Sequence, residues 1–237
     1  MLPSLGGTQG ARAAQSMMVA GGTLRVKGPE GYCVDTGASR TGEADGFVLL
    51  GSCRAISHHP RDPHPERPMV LTVAVSARAG QAPADPEAPP ARDLAGLETY
   101  LRSDTGRQAL SRTGDADSVQ IARALQQDGV LYLHITDDSP NPMGAVTGAY
   151  WRAFFDLRGA AVSVTVTALA SQPVDEGTAL AQIQRAVAAL RAANPERGTT
   201  AGRALAGLAD RFLGRNNSGA GPADTPAPIP GASAAAR

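Results

Sequence analysis

Three histidines and two carboxylates lie in one short stretch and are of the residue types that bind zinc. They are His58, His59, Asp62, His64 and Glu66. Imidazole nitrogens and carboxylate oxygens are common zinc ligands, but a site needs four ligands that converge on one point. Prolines occur four times between residues 58 and 68 and keep this stretch extended, so neighbouring side chains point apart. We therefore expect a solvated loop here and no metal site.

A second pattern offers a carboxylate of the kind that hydrolyses peptides. Val34-Asp35-Thr36-Gly37-Ala38-Ser39 resembles the Asp-Thr-Gly-Ala signature of retroviral-type aspartic proteases. The resemblance implies that Asp35 is catalytic and that the enzyme is a dimer, because this chemistry needs two carboxylates that share one proton. It also implies a glycine-rich flap and a downstream strand that crosses behind the catalytic loop.

The rest of that family pattern does not fit the chain. Val48-Leu49-Leu50-Gly51 follows too closely to leave room for a flap, and Phe212-Leu213-Gly214 comes too late. Asp, Thr, Gly and Ser are also the residues that turns favour. The sequence therefore predicts a polar turn that leaves a strand at Asp35, with an atypical dimeric aspartic protease as the alternative.

Other catalytic or cofactor motifs lack the required spacing. There is no Gly-x-Ser-x-Gly elbow, no glycine loop that ends in Lys-Ser or Lys-Thr, and no dinucleotide-binding fingerprint after a strand. Asp137-Asp138 does not match an EF-hand loop. His134 shares a predicted strand face with Tyr132 and Thr136, which favours a half-exposed strand residue over a catalytic base. We expect no catalytic group at these positions and no cofactor.

Charge and hydropathy disfavour two classes of partner. The chain has 22 basic and 22 acidic residues, so no long-range field attracts nucleic acid or an anionic membrane. Only Lys27 among the basic residues is a lysine, a bias that we attribute to a GC-rich, bacterial genome. No stretch approaches the roughly 18 to 20 apolar residues of a membrane-spanning helix. We expect neither a nucleic-acid partner nor a membrane span.

The two cysteines, Cys33 and Cys53, bear on the compartment. Each lies in or beside a predicted strand, and a turn-rich stretch separates them. A disulfide that closes such a loop stabilises a protein by roughly 3 kcal/mol and persists in oxidising compartments, whereas two buried thiols are the alternative. Ala11-Arg12-Ala13 has the A-x-A form that signal peptidase cuts, although the other regions of a signal peptide are missing. We predict a periplasmic or otherwise extracytoplasmic protein, with a cytoplasmic one as the alternative.

Strand patterns occur throughout the first third of the chain and again after residue 119. Alternating or continuous apolar residues predict strands near residues 24–27, 32–34, 47–50 and 69–75. Asp128-Gly129 and Arg158-Gly159 each separate two further strand-like segments, as the type I′ turns of hairpins do. Valine alternates with serine or threonine after Arg158-Gly159, which predicts a sheet with one wet or lightly covered face.

Two amphipathic helices are predicted to pack on this sheet. Leucines recur at helical spacing behind Asp93, and a second apolar stripe follows Asp175. The stripe residues are Leu94, Leu97 and Leu101 in the first helix and Ile183, Val187 and Leu190 in the second. We expect the second helix to lie across the dry face of the sheet and bury it.

These elements predict an α+β fold with a curved antiparallel sheet of about six or seven strands and two packing helices. We place a flexible leader at residues 1–21 and a single domain at residues 22–193, which includes a Pro/Ala-rich loop at residues 80–91. Residues 194–237 are expected to form a disordered tail rich in Ala, Gly and Pro, in which Leu205, Leu208 and Phe212 allow a short helix.

The order of elements resembles that of PsbP-like exported accessory domains. The likeness lies in the Pro-Glu-Gly turn at residues 29–31, the paired hairpins and the closing amphipathic helix, and it spans residues 22–193. It implies a non-enzymatic module that binds or stabilises a larger assembly at a membrane surface. It transfers no functional residue to this chain.

The sequence therefore favours a non-catalytic exported domain that recognises an unidentified protein partner. Tyr150, Arg152 and Phe154 are the candidate interaction surface, because aromatic residues and arginine are unusual on a wet sheet face and are common in protein interfaces. The oligomeric state does not follow from the sequence.

Overall fold

Nine strands and four α-helices occur in the part of the protein that the structure describes. This computed structural model describes residues 13–76, 93–141 and 144–195. In chain order the elements are β1 (Ser16–Val19), β2 (Leu24–Lys27), β3 (Tyr32–Thr41), β4 (Gly46–Ser52), α1 (Cys53–Ser57), β5 (Met69–Ser76), α2 (Leu94–Arg102), α3 (Asp104–Leu110), β6 (Val119–Gln127), β7 (Val130–Asp137), β8 (Val146–Leu157), β9 (Ala160–Leu169) and α4 (Glu176–Ala193).

Seven strands form one antiparallel sheet in the order β3-β4-β5-β9-β8-β7-β6, and β1 pairs with β2 in a small second sheet. The predicted α+β class and strand number are confirmed. The two predicted helices are α2 and α4, whereas the short helices α1 and α3 were not predicted. None of the described helices combines the length and the apolar character needed to cross a bilayer.

The front face of the large sheet, which is the face that α4 covers, carries the main core. Asp175 caps α4 by accepting a hydrogen bond from the Thr178 amide at 2.8 Å. The predicted stripe of Ile183, Val187 and Leu190 is buried against the sheet. These contacts confirm that α4 lies across the dry face.

The back face is the opposite side of the same sheet, and helices cover only parts of it. Helices α2 and α3 pack on β6 and β7, while α1 packs on β3 and β4. Beneath α2 and α3 lies a second apolar cluster that includes Leu101, Leu133, Ile135 and Tyr150. Asp93 caps α2 by accepting from the Gly96 amide at 2.8 Å, as predicted.

Both predicted hairpin turns are confirmed. Asp128 and Gly129 have φ values of 51° and 70°, and Arg158 and Gly159 have values of 54° and 81°. Two consecutive left-handed residues are the requirement of a type I′ turn, whose twist matches that of the flanking strands. These turns fix the registers of β6 with β7 and of β8 with β9.

The predicted flexible leader is wrong for residues 13–21. Strand β1 pairs with β2 through Met17 and Val26, and Ala14 forms a bridge with Val34. The short stretch Ser16–Val19 has no hydrophobic period of its own, and pairing with β2 supplies its hydrogen bonds. The described domain therefore begins before the predicted boundary at residue 22. The predicted disordered tail at residues 194–237 is wrong for Asn194, which is buried and forms two hydrogen bonds with the Arg25 backbone. Residues 1–12, the predicted loop at 80–91 and residues 196–237 of the predicted tail lie outside the described residues.

The disulfide between Cys33 and Cys53 is confirmed, with a Cα–Cα distance of 4.7 Å. It joins β3 to the start of α1, and both cysteines are buried beside Ala13 and Ile56. The bond therefore fastens α1 to the edge strand β3, and Ala13 of the N-terminal segment packs beside it.

A polar network links the segment that follows α3 to the end of β7. Asp137 at the end of β7 is buried and accepts hydrogen bonds from the Arg112 amide and the Ser139 amide, both at 2.9 Å. The Arg112 guanidinium donates to the carbonyls of Asp137 and Ser139. Burial of the Asp137 carboxylate raises its pKa, but the hydrogen bonds from Ser139 and Arg112 and the charge of Arg112 outweigh this effect. Its pKa therefore lies below the usual value.

We predict that the Cys33→Ala/Cys53→Ala variant loses about 3 kcal/mol of unfolding free energy, because the disulfide closes a loop with a sequence separation of 20. Urea denaturation of the oxidised wild type and the variant measures this loss. Reduced wild type should resemble the variant. Equal midpoints for all three proteins would contradict the structural role of the bond.

We predict that Asp137→Asn destabilises the protein by about 2 kcal/mol at pH 7, because charge-assisted hydrogen bonds from Arg112 and Ser139 are weakened. The folded-state pKa of Asp137 is lowered, so its stabilising effect is present above the unfolded pKa of about 3.9 and is lost as the pH falls through the folded value. The difference in unfolding free energy between wild type and variant, measured from denaturation curves, should decrease below about pH 4. A gap that does not change with pH would show that the charge contributes nothing.

Candidate functional site

The histidine-rich segment forms a loop between α1 and β5, as predicted. His58 and His59 are exposed, and the Nδ1 atom of His59 lies 3.7 Å from Asp62 Oδ1. Within the described ranges, no three histidine, cysteine or acidic side chains converge to hold a metal ion. His59 and Asp62 thus form a local contact on the surface of the loop.

The Asp35 motif has a different local structure from the predicted turn. Strand β3 does not end at Asp35 but continues to Thr41, with a register shift against β4 between Asp35 and Arg40. Asp35 Oδ1 accepts hydrogen bonds from the amides of Gly37 and Ala38, each at 3.0 Å. The side chain therefore closes a bulge within the strand, because it satisfies amides that the ladder leaves unpaired.

Ser39 completes this bulge. Its Oγ atom donates to the Asp35 carbonyl at 2.6 Å and accepts from the Leu49 amide at 3.0 Å. The serine hydroxyl thus replaces a backbone partner in the pairing of β3 with β4. Asp35 and Ser39 have structural roles in this arrangement, and one oxygen of the supposed catalytic carboxylate already binds two amides of its own loop.

His134 lies near the start of α4, on the front side of the sheet. Its ring stacks on Trp151 at a centroid distance of 5.1 Å, and its Nδ1 atom is 3.7 Å from Glu176 Oε2. Glu176 also pairs with Arg123 at 3.2 Å. With 18% of its side chain exposed, His134 is the partly exposed strand residue that the sequence predicts.

The centre of the back face forms a surface that we call the open sheet face. It consists of Phe47 and Leu49 of β4, Thr72 and Ala74 of β5, and Ser163 and Thr165 of β9. All six residues are half-buried, whereas their neighbours along each strand are buried in the main core. The wet or lightly covered face that the sequence predicts is therefore present on the central strands.

Strand register places these residues in two rows across the sheet. In one row Leu49 pairs with Thr72, Thr72 with Thr165, and Thr165 with Arg152. The other row runs from Arg40 through Phe47, Ala74 and Ser163 to Phe154. The open sheet face is thus bordered by α2 and α3 beyond β8 and by α1 and the Asp35 bulge near β3.

Arg152, at the border of this face, has unusual surroundings for an arginine. Its Nη2 atom donates to Ser163 Oγ at 3.5 Å, a long hydrogen bond, and its guanidinium lies over the Phe154 ring at 5.3 Å. Its Nε atom is buried and has no hydrogen-bond partner in the part of the chain that the structure describes. Burial lowers the pKa of the Arg152 guanidinium, and attraction to Tyr150 opposes the shift.

The predicted interaction surface of Tyr150, Arg152 and Phe154 needs a correction. Tyr150 is buried under α3, and its hydroxyl donates to the Leu110 carbonyl at 3.2 Å. Phe154 is half-buried and packs against the same second cluster. These residues do lie on one face, but helices α2 and α3, which the alternation of the strand does not reveal, cover part of it. Arg152 and Phe154 connect the predicted surface with the open sheet face, because they pair with Thr165 and Ser163 of β9.

A cleft of about 470 Å³ lies between the end of α4 and the turn at residues 28–31. The residues that line it include Lys27, Glu30, Cys53, Ala189 and Ala193. These small side chains and opposite charges do not converge on one ligand chemistry. The lining of the cleft therefore indicates no ligand class, whereas the surroundings of Arg152 do.

Sequence reasoning missed Leu49, Thr72 and Thr165 as site residues. Their strands alternate between buried and half-buried positions, and this alternation was visible in the sequence. Which parts of the back face the helices leave open depends on where α1, α2 and α3 pack, and local sequence does not specify that.

Comparison of the chain with models of protein families, with curated proteins and with solved structures found no match. Function is therefore inferred from the residues of this chain.

We predict that Asp35→Ala lowers the unfolding free energy by about 1 kcal/mol, because two amides of the bulge lose their acceptor. Asp35→Asn is the matched control, since its side-chain oxygen still accepts from both amides. Chemical denaturation should rank the asparagine variant close to wild type. A pepstatin-sensitive peptidase activity at acid pH that Asp35→Asn abolished would contradict the structural role.

Proposed function

We propose that the protein is an exported, non-catalytic domain that binds a partner protein on its open sheet face. The observation that carries this proposal is Arg152, a half-buried cation without a carboxylate partner in the described part of the chain, at the border of a half-exposed face. Proteins rarely keep a desolvated charge without compensation unless it serves a function. The partner that fits presents an acidic side chain to Arg152.

The composition of the face also favours a protein partner. Arginine and phenylalanine are enriched in protein interfaces, where a few of them supply most of the binding energy. Two Arg–Phe pairs border the open sheet face, with Arg40 over Phe47 at 4.8 Å and Arg152 over Phe154 at 5.3 Å. Threonine, serine and alanine between them form a low surface that a partner can approach closely.

The edges of the large sheet are less suited to binding by strand addition. Strand β6 has a register shift between Ile121 and Arg123, and the Arg102 guanidinium donates a hydrogen bond to the Ile121 carbonyl at 3.2 Å. At the other edge, Ala14 bridges to Val34 of β3. A bulge and covered backbone groups are the devices that block pairing with another chain. We therefore assign binding to the face.

The disulfide supports the extracytoplasmic part of the proposal. Both sulfurs of Cys33–Cys53 are buried in the domain, and structural disulfides are rare in cytosolic proteins. An accessory role in a larger assembly, as in PsbP-like domains, agrees with a binding face that lacks catalytic groups. No specific observation favours the dimeric aspartic protease through Asp35, and we do not propose it.

We predict that the native protein is found in the extracytoplasmic fraction of its source cells, with both thiols protected from alkylation until reduction. Intact mass after alkylation, with and without prior reduction, measures this protection. The Cys33→Ala/Cys53→Ala variant is the control that cannot be labelled. A cytoplasmic protein that is alkylated without reduction would overturn the assignment to an extracytoplasmic compartment.

We predict that Thr72→Arg and Thr165→Arg each reduce partner capture at least about tenfold, because a long side chain in the centre of the face prevents the close approach of the partner surface. Immobilised wild type and variants are incubated with extracytoplasmic extract, and captured proteins are quantified by mass spectrometry. Both threonines are half-buried and lie outside the main core, so the fold should tolerate the change.

Gln127→Arg is the matched control, because it adds the same charge at an exposed position at the end of β6. It should retain the partner that Thr72→Arg loses. Circular dichroism checks that each variant is folded. If both threonine variants captured every wild-type partner at wild-type levels, binding through the open sheet face would be excluded.

A further inference from the structure

Half-buried Arg152 differs in its surroundings from the buried carboxylate of Asp137. Asp137 is surrounded by donors, namely two backbone amides, a hydroxyl and the Arg112 guanidinium. Arg152 has one long hydrogen bond to Ser163, and its buried Nε atom has no acceptor within residues 13–76, 93–141 and 144–195. A guanidinium remains charged at any physiological pH, so it cannot avoid this environment by losing its proton.

The described neighbours of Arg152 do not neutralise its charge. Across the strands it faces Leu133 on β7 and Thr165 on β9, and Phe154 lies beneath it. Asp35 is the acidic residue of the same row, but it lies four strand spacings away, which is about 19 Å at about 4.8 Å per strand. A charge at that distance is largely screened in water.

We propose that Arg152 is the receptor for a single carboxylate of the partner protein, with the hydroxyls of Ser163 and Thr165 beside it. This inference rests on the proposed function and names the chemistry of its contact. A planar guanidinium binds a carboxylate through parallel hydrogen bonds, which fix orientation as well as charge. The Phe154 ring keeps the guanidinium plane in place before the partner arrives.

The surroundings favour a carboxylate over a phosphate. Arg152 supplies one positive charge, and the next arginine on the back face that contacts a phenylalanine is Arg40, at the far edge of the sheet. Leu133 and Phe154 make the site partly apolar. A monoanion neutralises such a site, whereas a dianion leaves an excess negative charge in surroundings that solvate it poorly.

This arrangement gives Arg152 a signature that a structural arginine lacks. In the free protein its charge is desolvated without compensation, so replacement by an apolar side chain of similar length should stabilise the fold. The same replacement should prevent partner binding. A structural arginine would show the opposite sign of the stability effect, because its removal would leave a partner group unsatisfied.

The first experiment uses wild-type protein and follows the Arg152 Nε–H signal by ¹⁵N NMR during titration with sodium acetate. Arg152→Lys, which keeps the charge but loses Nε, identifies the signal. We expect acetate to shift this signal saturably. Sodium chloride and sodium phosphate at matched ionic strength should produce no saturable shift. The absence of a saturable acetate shift, or a tighter response to phosphate, would overturn the proposal.

The second experiment compares the melting temperatures of Arg152→Met and Arg40→Met. Removal of Arg152 should raise the melting temperature by about 2 to 4 °C, and removal of the exposed Arg40 should not raise it. A lower melting temperature for Arg152→Met would assign a structural role to Arg152 and overturn the proposal. The acetate titration does not depend on this variant, so the proposal stays testable if Arg152→Met fails to fold.

One further variant tests whether the segment between β5 and α2, and not a partner, supplies the carboxylate. Asp85→Asn/Glu87→Gln removes two acids that lie outside the described residues, and it should leave the Arg152 Nε–H signal of the free protein unchanged. A shift would assign the counter-ion to this chain and overturn the proposal. If acetate has no effect but Thr72→Arg still abolishes partner capture, Arg152 is not a carboxylate receptor, whereas partner binding through the open sheet face is supported. If acetate binds but Thr72→Arg and Thr165→Arg retain every partner, the proposal that the partner binds on the open sheet face is rejected.

Discussion

Burial of both faces of the seven-stranded sheet is the constraint on which the rest of the structure depends. The valines, leucines and Trp151 of the front face need one long apolar element, and α4 with its stripe of Ile183, Val187 and Leu190 supplies it. None of the described helices covers the back face to a comparable extent. It is covered in parts by α1, which the disulfide fastens, and by α2 and α3, which the Asp137 network fastens. The central strands between these two covers carry threonine, serine and alanine, residues that tolerate contact with water.

Asp137 and Arg152 are two charged side chains of this sheet whose surroundings differ. Asp137 has a full set of donors, so its charge stabilises the fold and its pKa is lowered. Arg152 has a buried donor without an acceptor among the described residues, so we expect its charge to oppose folding of the free domain. The difference does not arise from burial as such but from whether the neighbouring strands offer complementary atoms. This difference between Asp137 and Arg152 within the described residues is the basis of the proposed contact between Arg152 and a partner.

Asp35 illustrates how local hydrogen bonds decide the role of a residue. Its neighbours have the residue types of a protease signature, yet its carboxylate binds the amides of Gly37 and Ala38 and shapes a bulge in β3. Ser39 takes the place of a backbone group in the pairing with Leu49. Aspartate, glycine and serine are common to catalytic loops and to bulges because both need short polar side chains close to the backbone. Residue type alone therefore does not separate the two.

The sequence by itself determined the elements whose signals are local. Alternation gave the long strands, consecutive Asp128-Gly129 and Arg158-Gly159 gave the hairpins, and Asp93 and Asp175 marked the starts of α2 and α4. Strand β1, the continuation of β3 past Asp35 and the burial of Tyr150 were decided only in the tertiary structure. Each depends on a partner distant in sequence, namely β2, Leu49 on β4 and Leu110 at the end of α3. The same is true of Arg152, because strand periodicity places a side chain on a face, whereas only the packing of other elements decides whether that face is open and whether the charge finds a partner.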